Sequence, residues 1–483
     1  MQRIMPFSAR HVDAAPFTLT QPLSDSPLKR SVQPSPANAE TKRHAESVSD
    51  MGESVAGSLR TMSERMAILV GGGPAPGINS VIAAATIRAR LRGVEMLGIM
   101  DGFERLIKGD ATCAERLEID RVSRIHFLGG SALRTSRANP AADPDALKTV
   151  VSTLRGLGVS MLLTIGGDDT AFSARAVAEA AGGDIRVAHV PKTIDNDLDL
   201  PPDINTFGYE TARHVGVGIV HSLMVDAKTT SRWYIVVAMG RKAGHLAMGI
   251  GKAAGATVTI IPEEFNGDKV TLDEVADILV GAIVKRAAFG RPDGVAIVAE
   301  GVCLAIDPDE LASLGLVERD EHGHIRLSEL DLGRVLQGEV TRRLAAVGHE
   351  TTVVAKNLGY ELRSAPPIPI DLEYTRDLGY CGARFLIQGG SGAMVSMQQG
   401  RFVPIPFEQL MDADTGRMRV RLVDINSARY AIARRYMIRI RKDDFDDNKV
   451  VESLANSCGL DAEAFQTRFE PQTMREPPSL QLT

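Results

Sequence analysis

The chain has 483 residues, 44% of them hydrophobic and 24% charged, with a net charge of −6. That length accommodates one large core or two to three domains, and the mild acidity leaves no basic footprint for nucleic acid or anionic lipid. Cys113, Cys303, Cys381 and Cys458 lie far apart without a CxxC spacing, and no stretch approaches the ~20 apolar residues of a membrane span, so a disulfide framework, a zinc site and a membrane role are not indicated and a reducing cytoplasm is expected.

In chain order, residues 1–60 are rich in Ser, Pro and Ala without sustained periodicity and read as a mobile extension. Strands are then expected at 66–72 (MAILVGG), 94–100, 160–165, 185–190, 232–239, 256–261 and 294–300, with helices at 78–93, 144–156, 170–182, 209–228, 272–286 and 332–346. Strands with little polar alternation, separated by helices, imply a mainly parallel sheet covered on both faces. RDEHGH at 319–324 reads as an exposed turn, and residues 471–483 as a tail. Ligands of such sheets bind beyond the carboxyl ends of the strands, so the segments just after each apolar run carry the chemistry.

GGGPAPGINS at 71–80 fits neither GxGxxG nor a Walker A loop, since Ile78 and Asn79 stand where Lys and Ser/Thr would be needed. It is a glycine-dense strand-to-helix turn, suited to an anion or needed only for tight turning. GGDDT at 166–170 places two adjacent aspartates, Asp168 and Asp169, in an equivalent turn, and PKTIDNDLDLP at 191–201 adds a lysine, a threonine and three further aspartates. Phosphoryl transfer needs a metal carboxylate, cations and amides around the migrating group, and a base for the attacking hydroxyl. All of these residue types are present.

Together with GGSALRTSR, MGRKAGH, PEE and AEG, in this order and spacing, these segments resemble the phosphofructokinase family, and more narrowly its pyrophosphate-dependent branch, from about Met66 to about Pro406. The resemblance implies an α/β fold of two Rossmann-like three-layer αβα domains with mainly parallel sheets, formed by residues 61–470 as interleaved donor-binding and sugar-phosphate-binding parts. It further implies Mg²⁺ as cofactor, fructose 6-phosphate and pyrophosphate as substrates, and a homodimer or homotetramer. By the same resemblance Asp195 is the base, Asp168 the Mg²⁺-associated carboxylate, and Gly72, Gly73, Arg137, Asp169 and Lys192 the donor site. Thr193, Ile194, Asp197, Met239, Gly240, Arg241, Glu300, Tyr360 and Arg363 fall to the sugar phosphate, Arg241 also stabilising transfer, with Arg232 reaching in from a neighbouring subunit.

Relatives that use ATP commonly have glycine in place of Asp169. A carboxylate there meets the α-phosphate of a nucleotide, and two unit charges about 4 Å apart interact by roughly 4 kcal/mol at an intermediate dielectric. Pyrophosphate ends one phosphate earlier. Asp169 with Lys192 therefore points to pyrophosphate, against an ATP-dependent enzyme or a catalytically silent sugar-phosphate-binding subunit.

Overall fold

Runs such as MAILV and MLLTI are apolar at successive positions, so both faces of each strand must be covered, and helices between strands supply the cover. The computed structural model describes residues 64–265, 267–313, 330–412 and 418–476; the expected N-terminal extension and the 319–324 turn lie outside them. The first sheet contains β1 (Arg65–Val70), β2 (Glu95–Ile99), β3 (Ala114–Arg116), β4 (Met161–Gly166) and β5 (Arg186–Pro191). The second consists of β6 (Arg232–Ala238), β7 (Val258–Ile260), β8 (Gly294–Ala299) and β9 (Thr352–Leu358). The chain then returns to the first sheet as β10 (Ala393–Met394), makes a hairpin of β11 (Met397–Gln398) and β12 (Arg401–Phe402), and ends that sheet with β13 (Ile405–Pro406). The orders are β13-β10-β5-β4-β1-β2-β3 and β7-β8-β6-β9. All pairs in the second sheet are parallel; in the first, only the β2–β3 and β10–β13 edges are antiparallel.

The larger helices are α1 (Ile78–Arg90), α2 (Pro144–Gly156), α3 (Asp168–Ala181), α4 (Tyr209–Thr230), α5 (His245–Ala254), α6 (Leu272–Ala288), α7 (Leu332–Ala346) and α8 (Pro369–Ile387), followed by α9 (Ala428–Tyr436), α10 (Asn448–Asn456) and α11 (Ala462–Phe469). On one face of the first sheet α1 and α8 bury Val81, Ile82, Leu378 and Leu386; on the other α2 and α3 bury Val151, Leu154, Ala174 and Val177. The second sheet shares one continuous core with α4 to α7 and with Leu454, Phe465 and Phe469 of the C-terminal helices. The expected strands and helices all form, with ends shifted by a few residues. The sequence reading does not anticipate β9, whose Lys356 and Asn357 interrupt the apolar run, or α8, whose Gly379 and Gly382 break the helical pattern. Glu470–Arg475 is a 3₁₀ helix with Thr473 buried, so structure runs past the expected tail boundary at 471.

One buried carboxylate joins the two halves. Gly208 occupies the N-cap of α4 at φ +90° and has no side chain to satisfy the first amides. Asp371, in the first turn of α8, substitutes for it: its oxygens accept from Gly208 N (2.9 Å), Thr211 N (2.8 Å) and Thr211 Oγ1 (2.6 Å). Burial raises the Asp371 carboxyl above its ordinary range, so these donors offset a real desolvation cost. Asp371→Ala is expected to destabilise the chain by about 2–4 kcal/mol in urea unfolding; a loss below about 1 kcal/mol would show that the cap is dispensable.

Candidate active site

The carboxyl ends of both sheets open onto one cleft of about 700 Å³. The first sheet contributes Gly72–Pro74 after β1, Gly167–Thr170 after β4 and Lys192–Asp195 after β5. The second contributes Met239, Arg241 and Lys242 after β6, Glu300 after β8, and Leu358–Glu361 with Arg363 at the end of β9. Arg137 and Ser136 enter from the segment beside β1, where Gly72 N donates to Ser136 O at 2.8 Å.

On the first sheet's side, Gly72 has φ +77°, and a Cβ there would stand 3.3 Å from Lys192 Nζ; one at Gly73 would stand 3.0 Å from Arg363 Nη1. Any side chain at these two positions therefore pushes on the cations of the cleft. Lys192 is buried and its ammonium donates to Gly73 O. Burial brings its pKa down to about 8 against the pull of Asp195, with Arg363 and Arg241 lowering it further. Asp168 and Asp169 begin α3, where the helix N-terminus favours negative charge. Asp168 Oδ1 accepts from Arg241 Nη1 at 2.7 Å, an ion pair that crosses the cleft between the two sheets. Asp169 is exposed, lines the cleft and forms no ion pair among the described residues. The fully buried His189 braces this corner: Thr164 Oγ1 lies 2.8 Å from its Nδ1 and Gly166 O 3.0 Å from its Nε2, and burial keeps the ring neutral, with a pKa of about 3.

Asp195 is buried, and its Oδ1 has no hydrogen-bond partner among the described residues. Its backbone N–H donates to Thr193 Oγ1 at 3.0 Å. Burial, then Asp197 and Glu300, push its pKa up to about 7. A buried acceptor without a donor is costly, and one poised near neutrality is suited to taking a proton from a ligand hydroxyl. The next residue, Asn196, holds φ +59° and Arg241 holds φ +51°, so both loops carry a non-glycine residue in the left-handed region. The Arg241 loop is fastened by Glu300, whose Oε1 accepts from Gly240 N (3.1 Å) and Arg241 N (2.6 Å).

Most of the anticipated residues thus line one cleft. Three do not. Asp197 lies behind it, 4.0 Å from Arg241 Nη1; Gly240 serves the loop through its amide; Arg232 starts β6, about 20 Å of strand away from the cleft end, beside Asp226 at 4.0 Å. Tyr360 is exposed, with the Arg363 guanidinium 4.7 Å from its ring centroid. Cleft residues that motif reading missed include Asn139, Asp331, Asn357 and Cys303. Asn139 Oδ1 accepts from Ser173 Oγ at 2.9 Å, and nothing in its local sequence signals this. Burial and Glu300 raise the Cys303 thiol to about 11, which removes it as a nucleophile. His245 opens α5 as a packed residue 3.3 Å from Arg421 O, and burial lowers it to about 4.

A buried lysine, arginines, a glycine-rich turn and a buried aspartate whose Oδ1 has no partner among the described residues, gathered between the carboxyl ends of two sheets, form a site for moving a phosphoryl group onto a hydroxyl, and the chain belongs to the phosphofructokinase family, whose model matches residues 65–386. Among its relatives, the pyrophosphate–fructose 6-phosphate 1-phosphotransferase of Thermotoga maritima is 53% identical over 84% of this chain and 98% of its own length. The enzyme of the same name from Naegleria fowleri is 48% identical over 84% and 95%. The crystal structure of a pyrophosphate-dependent phosphofructokinase from Nitrosospira multiformis superposes with a TM-score of 0.60 at 17% identity, covering 83% of this chain and 93% of that one. No helix among the described residues is long and apolar enough to cross a membrane.

Sulfate, whose charge is constant near neutrality, is a suitable probe of this site. Its affinity is expected to fall in two steps as pH rises, through about 7 as Asp195 ionises and through about 8 as Lys192 loses its proton. In calorimetric titrations Asp195→Asn should erase the lower step and Lys192→Met the upper; an affinity flat across the window contradicts both assignments.

Proposed function

We propose that the chain transfers a phosphoryl group from inorganic pyrophosphate to the 1-hydroxyl of fructose 6-phosphate, reversibly, in the cytoplasm, serving both glycolysis and gluconeogenesis. The observation that carries the mechanism is the unpartnered Oδ1 of Asp195 in the cleft. Asp195 accepts the 1-hydroxyl proton as O1 bonds to the near phosphorus and the bridging P–O bond breaks, giving fructose 1,6-bisphosphate and phosphate. Lys192, Arg241 and the Gly73 amide stabilise the charge that spreads over the transferring group, and Arg137 holds the donor beside them. Arg363 and Tyr360 grip the 6-phosphate; Thr193, Ile194, Met239 and Glu300 line the sugar side. Positioning and electrostatics supply most of the rate.

Mg²⁺ fits Asp168. Among the described residues no group of three or more His, Cys, Asp or Glu forms a cage, and Mg²⁺ characteristically binds one or two carboxylates together with substrate phosphates and water. Held there, it would neutralise phosphate charge.

Asp169 excludes nucleotides through a carboxylate that lines the cleft and forms no ion pair among the described residues. A donor matrix of pyrophosphate and ATP with Mg²⁺ is expected to show turnover with pyrophosphate alone, and Asp169→Gly to admit ATP. A folded Asp169→Gly variant that uses pyrophosphate but still no ATP would remove Asp169 from donor selection.

The reading also requires at least a dimer, because Arg232 stands at the far end of β6 from its own cleft and is supplied to a neighbour's 6-phosphate. Arg232→Ala and Asp195→Asn subunits should each be nearly inactive alone. Mixed and reassembled, they should regain activity, since one site per heterodimer then holds both intact groups. Failure to complement in mass-verified heterodimers would place Arg232 outside the shared site.

A further inference from the structure

The residue before the catalytic loop's second aspartate, Asn196, holds φ +59°, in the left-handed backbone region that favours glycine. Something must hold it there. Its side-chain Oδ1 accepts from Thr206 N at 3.0 Å and from Arg421 Nη2. Its carbonyl accepts from Arg421 Nε at 3.1 Å, while Arg421 Nη1 donates to Ile204 O at 2.8 Å. The Arg421 backbone N–H donates to Asp197 O at 2.8 Å, and Val420 bridges Leu198 in antiparallel fashion. In this strap of residues 419–423, Arg419 Nε also pairs with Asp199 Oδ2 at 2.6 Å.

The same strap is fixed to the other loop of the cleft. His245 Nε2 lies 3.3 Å from Arg421 O, and Glu263 Oε1 accepts from both Gly244 N (2.9 Å) and Val423 N (3.0 Å). Arg421 thus spans the Asp195 loop and the segment that follows Arg241, more than 170 residues away from either in sequence. A planar guanidinium with five donors satisfies acceptors on both the side chain and the carbonyl of Asn196; an ammonium cannot match that geometry.

We infer that Arg421 is a positioning residue for phosphoryl transfer: by clamping Asn196 in its left-handed conformation, it holds the neighbouring Asp195 carboxylate in reach of the acceptor hydroxyl. It is not among the residues that line the cleft. The inference rests on Asp195 being the base.

The test is steady-state kinetics on the full chain, below the melting temperature of each variant, with Arg421→Met, Arg421→Lys, and each combined with Asn196→Gly. Displacing a reacting group by an ångström costs up to about a hundredfold in rate, so Arg421→Met should lower kcat by about tenfold to a hundredfold while KM for both substrates stays within about threefold. Arg421→Lys should lose less. Because glycine adopts positive φ unaided, adding Asn196→Gly should restore at least about fivefold of the lost kcat. A general loss of structure would not be rescued by a second substitution that removes further hydrogen bonds. An unchanged kcat in folded Arg421→Met, a loss confined to KM, or a kcat loss that Asn196→Gly fails to recover would each overturn the inference. Should Arg421→Met not fold, the Arg421→Lys pair with and without Asn196→Gly is read by the same criteria. Asp195→Asn assayed alongside keeps the two claims apart: full activity there overturns the base assignment, whereas an inactive Asp195→Asn with fully active Arg421→Met overturns only the clamp.

Discussion

Arg241 reaches across the cleft to Asp168, and the arrangement of the site follows from that contact. The pair joins a loop of the second sheet to the first turn of a helix on the first sheet, at 2.7 Å. With the Arg241 side chain half exposed, the pair is worth little as a source of stability, roughly 0–1 kcal/mol. Its consequence is placement. The carboxylates of Asp168, Asp197 and Asp195 more than offset the burial of the guanidinium and raise its pKa above the ordinary arginine value, so the charge is permanent. Glu300 holds the loop amides from behind, which keeps Arg241 in a backbone region it would otherwise leave. Arg241 thus faces the cleft as a cation that is already oriented and already paired.

Around that contact, burial sets the protonation states. Lys192 and Asp195 approach neutrality from opposite directions because the same low-dielectric pocket penalises the charged form of each. The two glycines of the β1 turn leave space for Lys192 and Arg363 rather than serving only to turn the chain. Asp371 contributes at a distance, by fixing the start of α4 to α8 and so keeping the two sheets facing each other.

The central strands and helices were legible because burial on both faces writes itself as uninterrupted apolar runs. β9 and α8 were not, since Lys356, Asn357, Gly379 and Gly382 dilute the pattern and their placement is decided by tertiary partners. The site loops could be read because phosphate chemistry demands glycines, aspartates and cations in short segments after strands. Arg421 carried no such mark. It lies in a charged stretch, RMRVRL, that resembles any solvated segment, and only three-dimensional proximity couples it to Asn196. Asn139 escaped for the same reason.

The strap has a consequence for biosynthesis. Residues 419–423 hydrogen-bond to loops that left the ribosome some two hundred residues earlier. During translation the loop bearing Asp195 emerges long before residues 419–423 and lacks their donors until they follow. The Asp195 loop is therefore finished only after some two hundred further residues have been made, and a nascent chain that stops short of residue 419 carries that loop without its clamp.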